Sequence, residues 1–189
     1  MEIELSLIIR AAIFVVISIF LVAISWRSLS NPKCHGFYRF FAFESILVLI
    51  LLNIPFWFKN PLSPFQLISW FLLFFSIFFV FQGFYLLRKI GGYKERENSS
   101  ETFVFEDTAN LVTDGIYKYV RHPLYSSLFL LAWGAYLKHI SIYGTIAVFL
   151  ATAFLIATAK MEERENIVSF GATYEAYIHK TKMFIPYLF

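Results

Sequence analysis

The sequence predicts an all-α, polytopic integral membrane protein of about five transmembrane helices, with a C-terminal helical hairpin and a cytoplasmic amphipathic helix. Three observations carry this. First, 59% of the 189 residues are hydrophobic and only 15% charged, where an ordinary soluble domain carries about a quarter. Its 24 Phe residues are more than a small soluble core hides, and the mean hydropathy is +0.65. Second, apolar runs recur at the length of about 20 residues that a bilayer crossing needs. Third, the basic residues sort to one side of those runs. Lipid offers no partner to a free backbone N–H or C=O, so every crossing segment must be helical.

The first apolar run extends from Leu5 to Trp26, with Arg10 near its outer end. A signal peptide is not expected there, because the segment ahead holds Glu2 and Glu4 where a basic stretch belongs. The second run, Phe37 to Phe58, encloses Arg39 and Glu44; the third, Phe65 to Leu87, has no charge. A polar stretch follows from 88 to 114. Apolar sequence then resumes at Pro123 and continues to Ala159, interrupted only by Lys138 and His139. That is too long for one crossing, so two helices turning back at "LKHIS" are expected. The chain reads as one membrane domain over 1–189, with three spans in 1–87 and a loop, hairpin and interfacial helix in 88–189. The single cysteine, Cys34, excludes an internal disulfide.

Placing the 88–121 segment in the cytoplasm puts nearly every Lys and Arg on that side. Lys59 and Lys138 remain outside, and Arg10 lies within the first span. This bias orients the N-terminus outside and the C-terminus in the cytoplasm. The net charge of +3 is thereby spent on topology, and a nucleic-acid surface is not expected.

Two polar segments, "NLVTDGIYKYVRHPLY" and "KMEERENIVSFGATYEAYIHKTKMFIP", fall on the same face. A hairpin returns its chain to where it began, so Arg121 and His122 should lie near Glu162 and Glu163. Asp114-Gly115 marks a turn, and Pro123 suits the first position of a helix. The free N–H groups of that helix start attract an anion, while Tyr117 and Tyr125 offer ring faces to a cation. Ile167, Phe170, Tyr174 and Tyr177 recur at near-helical spacing and suggest an amphipathic helix that Gly171 interrupts. Taken singly, each has a plainer role: a boundary arginine anchors topology, interfacial tyrosines form a belt, and Glu-Glu after a span is a solvated helix end. Glu44 inside the second span is either functional or paired with Arg39 or a hydroxyl.

The pattern Gly115-x-Tyr117, then Arg121-His122-Pro123-x-Tyr125, resembles the isoprenylcysteine carboxyl methyltransferase family. So does its continuation: a hairpin, Glu162-Glu163, Phe170-Gly171, Tyr174-x-x-Tyr177 and Ile185-Pro186. The broader relatives of that family are phospholipid methyltransferases. The resemblance spans about 109 to 186; the first three spans match only in hydropathy. It implies a membrane-embedded methyltransferase using S-adenosylmethionine and a lipophilic or prenylated acceptor. It further implies a cofactor site of Ala109, Asn110, Leu111, Val112, Tyr117, His122, Pro123, Leu124, Tyr125 and Glu162. Arg121, His122 and Glu163 are assigned to catalysis, Glu44 and Thr158 to the acceptor, and no metal is expected. Thr158 and Met183 stand where prenylcysteine enzymes carry basic residues, so phospholipid amines or other small lipophiles are alternative acceptors. No G-x-G-x-x-G loop is present, which excludes a soluble dinucleotide-type methyltransferase fold. Sterol reductases share the Arg-His-Pro-x-Tyr turn but need about twice as many spans. A non-enzymatic membrane protein would tolerate loss of His122.

Overall fold

The computed structural model describes residues 2–92 and 108–188. Within them the chain is all-helical: α1 (Glu2–Leu29), α2 (His35–Asn53), α3 (Pro64–Leu86), α4 (Pro123–Tyr136), α5 (Ile142–Phe170) and α6 (Ala172–Lys180). A 3-10 turn, Ile54–Phe56, extends α2; a π-helical turn, Leu87–Gly91, extends α3; a second 3-10 turn, Gly115–Lys118, precedes α4. Lys94 and Arg96, counted above on the cytoplasmic side, lie outside the described residues.

Helix starts follow local chemistry. Pro64 and Pro123 each open a helix where their missing N–H is harmless. Cys34 caps α2 by accepting from the Gly36 N–H through Sγ at 3.4 Å, and Ser141 caps α5 by accepting from Gly144 N–H at 3.1 Å. Gly171, at φ +58, ends α5 in the left-handed region that glycine enters without strain.

Helices α1, α2, α3 and α5 are each long and apolar enough to cross a membrane. Helix α4 has 14 residues, about 21 Å, short of the ~30 Å hydrocarbon core. Five apolar helices are therefore present, of which four meet the length of a full crossing. A second difference lies in α5. Its 29 residues run past the expected end at Ala159 through Glu162 and Glu163 to Phe170, and the amphipathic stripe is split between α5 and α6 at Gly171, the interruption the sequence suggests.

Helix α2 packs against α4 and α5, α4 also against α3 and α5, and α1 packs on α2 with most of its side chains exposed. Between α3 and α4, Ser69 Oγ donates to Gly134 O at 2.7 Å and Ser76 Oγ to Ser127 O at 2.8 Å. Such bonds and small residues let membrane helices approach closely. At Gly134 an added Cβ would stand 2.9 Å from Leu73 Cγ and 3.3 Å from Ser69 O. Asn53 Nδ2 donates to Ala135 O at 2.8 Å, tying α2 to the same end of α4. The core joins Ile46 and Leu49 of α2 with Ala132 and Ala135 of α4 and Ala147, Val148 and Ala151 of α5.

At the opposite end, Glu165 of α5 holds the start of α2. Its carboxylate accepts from the His35 backbone N–H at 3.0 Å and lies 2.6 Å from His35 Nδ1. Arg39 reaches His35 rather than Glu44. Glu44 instead accepts from Ser18 Oγ of α1 at 2.8 Å, so the hydroxyl pairing expected as one alternative is the one present.

Candidate active site

The two polar segments meet where α4 begins and α5 leaves the apolar zone. The 3-10 turn before α4 is set by Gly115, whose φ is +59 and whose would-be Cβ lies 2.6 Å from Leu86 Cδ1. A larger residue would strain the backbone and strike α3. The turn carries Tyr117 inward, where its hydroxyl donates to Gly83 O at 3.3 Å and its carbonyl accepts from Tyr177 Oη at 2.6 Å. α3, the turn and α6 are thus held together through one tyrosine.

The C-terminal segment closes the arrangement. Val120 and Lys182 form a single parallel bridge; Arg121 N–H donates to Lys182 O at 2.9 Å and Lys182 N–H to Tyr119 O at 3.1 Å. Phe184 is buried, and its carbonyl accepts from Ser126 Oγ at 2.8 Å. Met183, on the same segment, is buried in a cluster with Tyr125, Leu155 and Ala159.

Arg121 and His122 converge on the two carboxylates. Arg121 Nε pairs with Glu163 Oε1, and its Nη1 donates to Thr181 O at 2.6 Å. His122 is buried and stacks on the Tyr125 ring with centroids 5.5 Å apart. Its Nε2 lies 3.3 Å from Glu163 Oε1 and its Nδ1 3.9 Å from Glu162 Oε2. Burial alone pushes the Glu163 carboxyl upward; the hydrogen bond and charge of His122, then those of Arg121, overcome this and hold it below its ordinary value.

Beside these groups lies a cavity of about 70 Å³, partly open to solvent. Leu111, Val112, Tyr117, Arg121, His122, Pro123, Leu124, Tyr125 and Glu162 line it. Glu162 is its only carboxylate among the described residues. Ala109 and Asn110 stand beside the cavity without lining it; Asn110 is bound to the end of α3 through Ile90 O and Gly91 O. Glu163 sits behind His122. Glu44 lies against α1, and Thr158 is buried with its hydroxyl on Phe154 O; neither lines the cavity.

Six further residues complete the wall: Leu87, Thr108, Asn166, Phe170, Tyr174 and Tyr177. The three aromatics were visible as a stripe, but their stripe reads equally well as an interfacial helix. The break at Gly171 turns Tyr174 and Tyr177 inward, where both are buried. Asn166 Nδ2 donates to Tyr174 Oη at 3.5 Å, and nothing in the sequence singles that asparagine out. The phenols of Tyr117, Tyr174 and Tyr177 are pushed well above the ordinary tyrosine value, chiefly by burial, with Glu162 adding to the shift at Tyr117 and Tyr174.

The chain is 37% identical over 75 residues to methanethiol S-methyltransferase 2 of Bradyrhizobium diazoefficiens, a match covering 39% of this chain and 28% of that protein. It is 28% identical over 78 residues to methanethiol S-methyltransferase of Crocosphaera subtropica, covering 40% of this chain and 29% of that protein. The matches thus span under a third of either relative's length. No solved structure matches. The profile of the phospholipid methyltransferase family matches residues 65–172. That stretch holds α3, the 3-10 turn, α4, all of α5 and both carboxylates beside His122. The chain belongs to the phospholipid methyltransferase family.

Proposed function

We propose that the protein transfers a methyl group from S-adenosylmethionine to a lipophilic acceptor drawn from the bilayer, at the cytoplasmic membrane face. The observation that supports this most directly is the cavity itself: a helix start, a single carboxylate and five aromatic rings face one partly open space. The donor carries a carboxylate, two cationic centres and a nucleoside, and the lining has a partner for each. Helix α4 has no side-chain cap, so its first N–H groups, at Leu124 and Tyr125, suit the carboxylate. Glu162 and the tyrosine faces suit the cations, and Phe170, Tyr174 and Asn166 suit the base. When bound, S-adenosylmethionine supplies a methyl carbon on a sulfonium, which departs as a neutral thioether.

The protein's part is mainly positioning and exclusion of water. A carboxylate or thiolate acceptor needs no base at the moment of transfer, and a thiol or amine must lose one proton. Glu163, whose carboxyl is held below its ordinary value beside His122 and Arg121, is a poor proton acceptor. We assign it to positioning Arg121 and His122, and assign the proton to His122, which lies between both carboxylates and lines the cavity. Five spans, an outer N-terminus and a cytoplasmic C-terminus belong to the same proposal. The short α4 would then cross a thinned or partly protein-filled layer.

Among acceptors, the two relatives favour a small thiol over a prenylated cysteine, and Thr158 in place of a basic residue points the same way. The test uses the purified full-length chain with methyl-labelled S-adenosylmethionine, offered alkanethiols, a prenylcysteine analogue or phosphatidylethanolamine. Label is expected in the thiol. Donor binding with label in another acceptor would overturn the thiol; failure to bind the donor would overturn the whole proposal.

A further inference from the structure

On the membrane face opposite the candidate active site, the turn between α2 and α3 meets the turn between α4 and α5. The segments 53–66 and 136–143 contain no Asp or Glu, yet hold Lys59, Lys138 and His139. Lys138 is 5% exposed. Its Nζ donates to Gln66 Oε1 at 3.0 Å and stands 3.2 Å from the Trp70 ring centroid and 5.4 Å from that of Trp57. No carboxylate lies within ion-pairing distance of it among the described residues. Burial pushes its ammonium down to about 8, and no opposing charge restores it. An ammonium sunk among rings is only partly compensated.

Next to Lys138 an open cavity of about 380 Å³ is lined by Lys59, His139, Ser63, Gln66 and the apolar Phe65 and Ile140. Lys59 and His139 both flank Phe56: the His139 ring stacks on it at 3.8 Å and Lys59 Nζ lies 5.7 Å from its centroid. The start of α3 opens here too, and its N-cap Ser63 makes no side-chain cap bond. Trp57 and Trp70 set the depth, since tryptophans sit at the headgroup level of a bilayer. Three basic side chains, helix N–H groups and no acid make a receptor for an anion. Phe65 and Ile140, 56% and 47% exposed, continue its rim along the lipid-facing surface, where a soluble anion has nothing to match them and an acyl chain does.

We infer that this cavity binds the phosphate group of an anionic membrane lipid, whose acyl chains run down over Phe65 and Ile140. Basic pockets between membrane helices recognise such headgroups elsewhere by the same charge arithmetic.

The purified full-length protein is titrated with short-chain phosphatidylglycerol, with phosphatidylcholine of the same chain length, and with inorganic phosphate, following thermal unfolding and lipid retention by native mass spectrometry. Phosphatidylglycerol is expected to raise the unfolding temperature and to be retained, with the response weakening at high salt. Lys59→Gln, at an exposed position, should weaken retention about fivefold while leaving donor binding at the distant cavity unchanged. His139→Gln provides a second reading independent of folding around Lys138. Equal retention of both lipids, or no loss in either variant, would overturn the site. Stabilisation by inorganic phosphate alone, equal to that by the lipid, would overturn the lipid as its source.

Discussion

At the residue scale the chemistry concentrates on Glu163 and the buried tyrosines. Glu163 joins Arg121 and His122, all with side chains largely out of water. Removing one partner of such a group strands the others, so Glu163→Ala should destabilise the protein by about 3 kcal/mol, measured by thermal unfolding in detergent. Because the folded carboxyl lies below its ordinary value, its contribution is present above about pH 4 and lost as pH falls further through the folded value. The wild-type protein should therefore lose more stability below pH 4 than Glu163→Gln does. The tyrosines act in the opposite window. Tyr117, Tyr174 and Tyr177 hold their protons above the ordinary value, so their contribution is intact below about pH 10 and declines at higher pH, where the unfolded chain ionises first. A spectrophotometric titration should show these phenolates appearing only with unfolding. Early ionisation of all 11 tyrosines would contradict their burial.

At the element scale two contacts hold the site in place. Helices α3 and α4 approach through Gly134, where the neighbours include the backbone carbonyl of Ser69 as well as the flexible end of Leu73. Gly134→Val should overpack the pair and lower stability by about 1–3 kcal/mol, read from the unfolding transition. The C-terminal segment is the second contact. It pairs with Tyr119, Arg121 and His122 through its backbone and seats Phe184 in the core. Ending the chain at Lys180 removes the Thr181 carbonyl from Arg121 and opens the space behind His122. Donor binding by calorimetry should then be lost while α1, α2 and α3 keep their helical circular dichroism. The element boundaries themselves were largely legible. Proline and a preceding turn signal placed the start of α4 at Pro123, and the apolar runs located α2 and α3 to within a few residues. The length of α5 was not legible, because hydropathy stops at the membrane edge and a helix need not; its backbone bonds continue as long as side chains permit.

At the scale of the whole molecule, the proposed orientation, argued from the sorted basic residues, is one that a reporter can test. A fusion at position 31, between α1 and α2, should report from the cytoplasm, and one at position 60, between α2 and α3, from the other side. The reverse pattern would place the candidate active site outside and remove it from its donor. By itself the sequence determined the class, the family resemblance, the apolar helices and the meeting of Arg121-His122 with Glu162-Glu163. Each of these follows from composition, from periodicity or from a local motif, and local information is what a linear chain carries. The tertiary structure alone decided which polar groups face the cavity and which face one another. Glu162 and Glu163 are adjacent, yet successive helical residues point about 100° apart. One therefore lines the space and the other locks Arg121. Likewise Tyr174 and Tyr177, expected on an amphipathic helix, are turned at Gly171 into the cavity wall. Burial on that scale depends on which helix packs against which, and no window of sequence contains both partners.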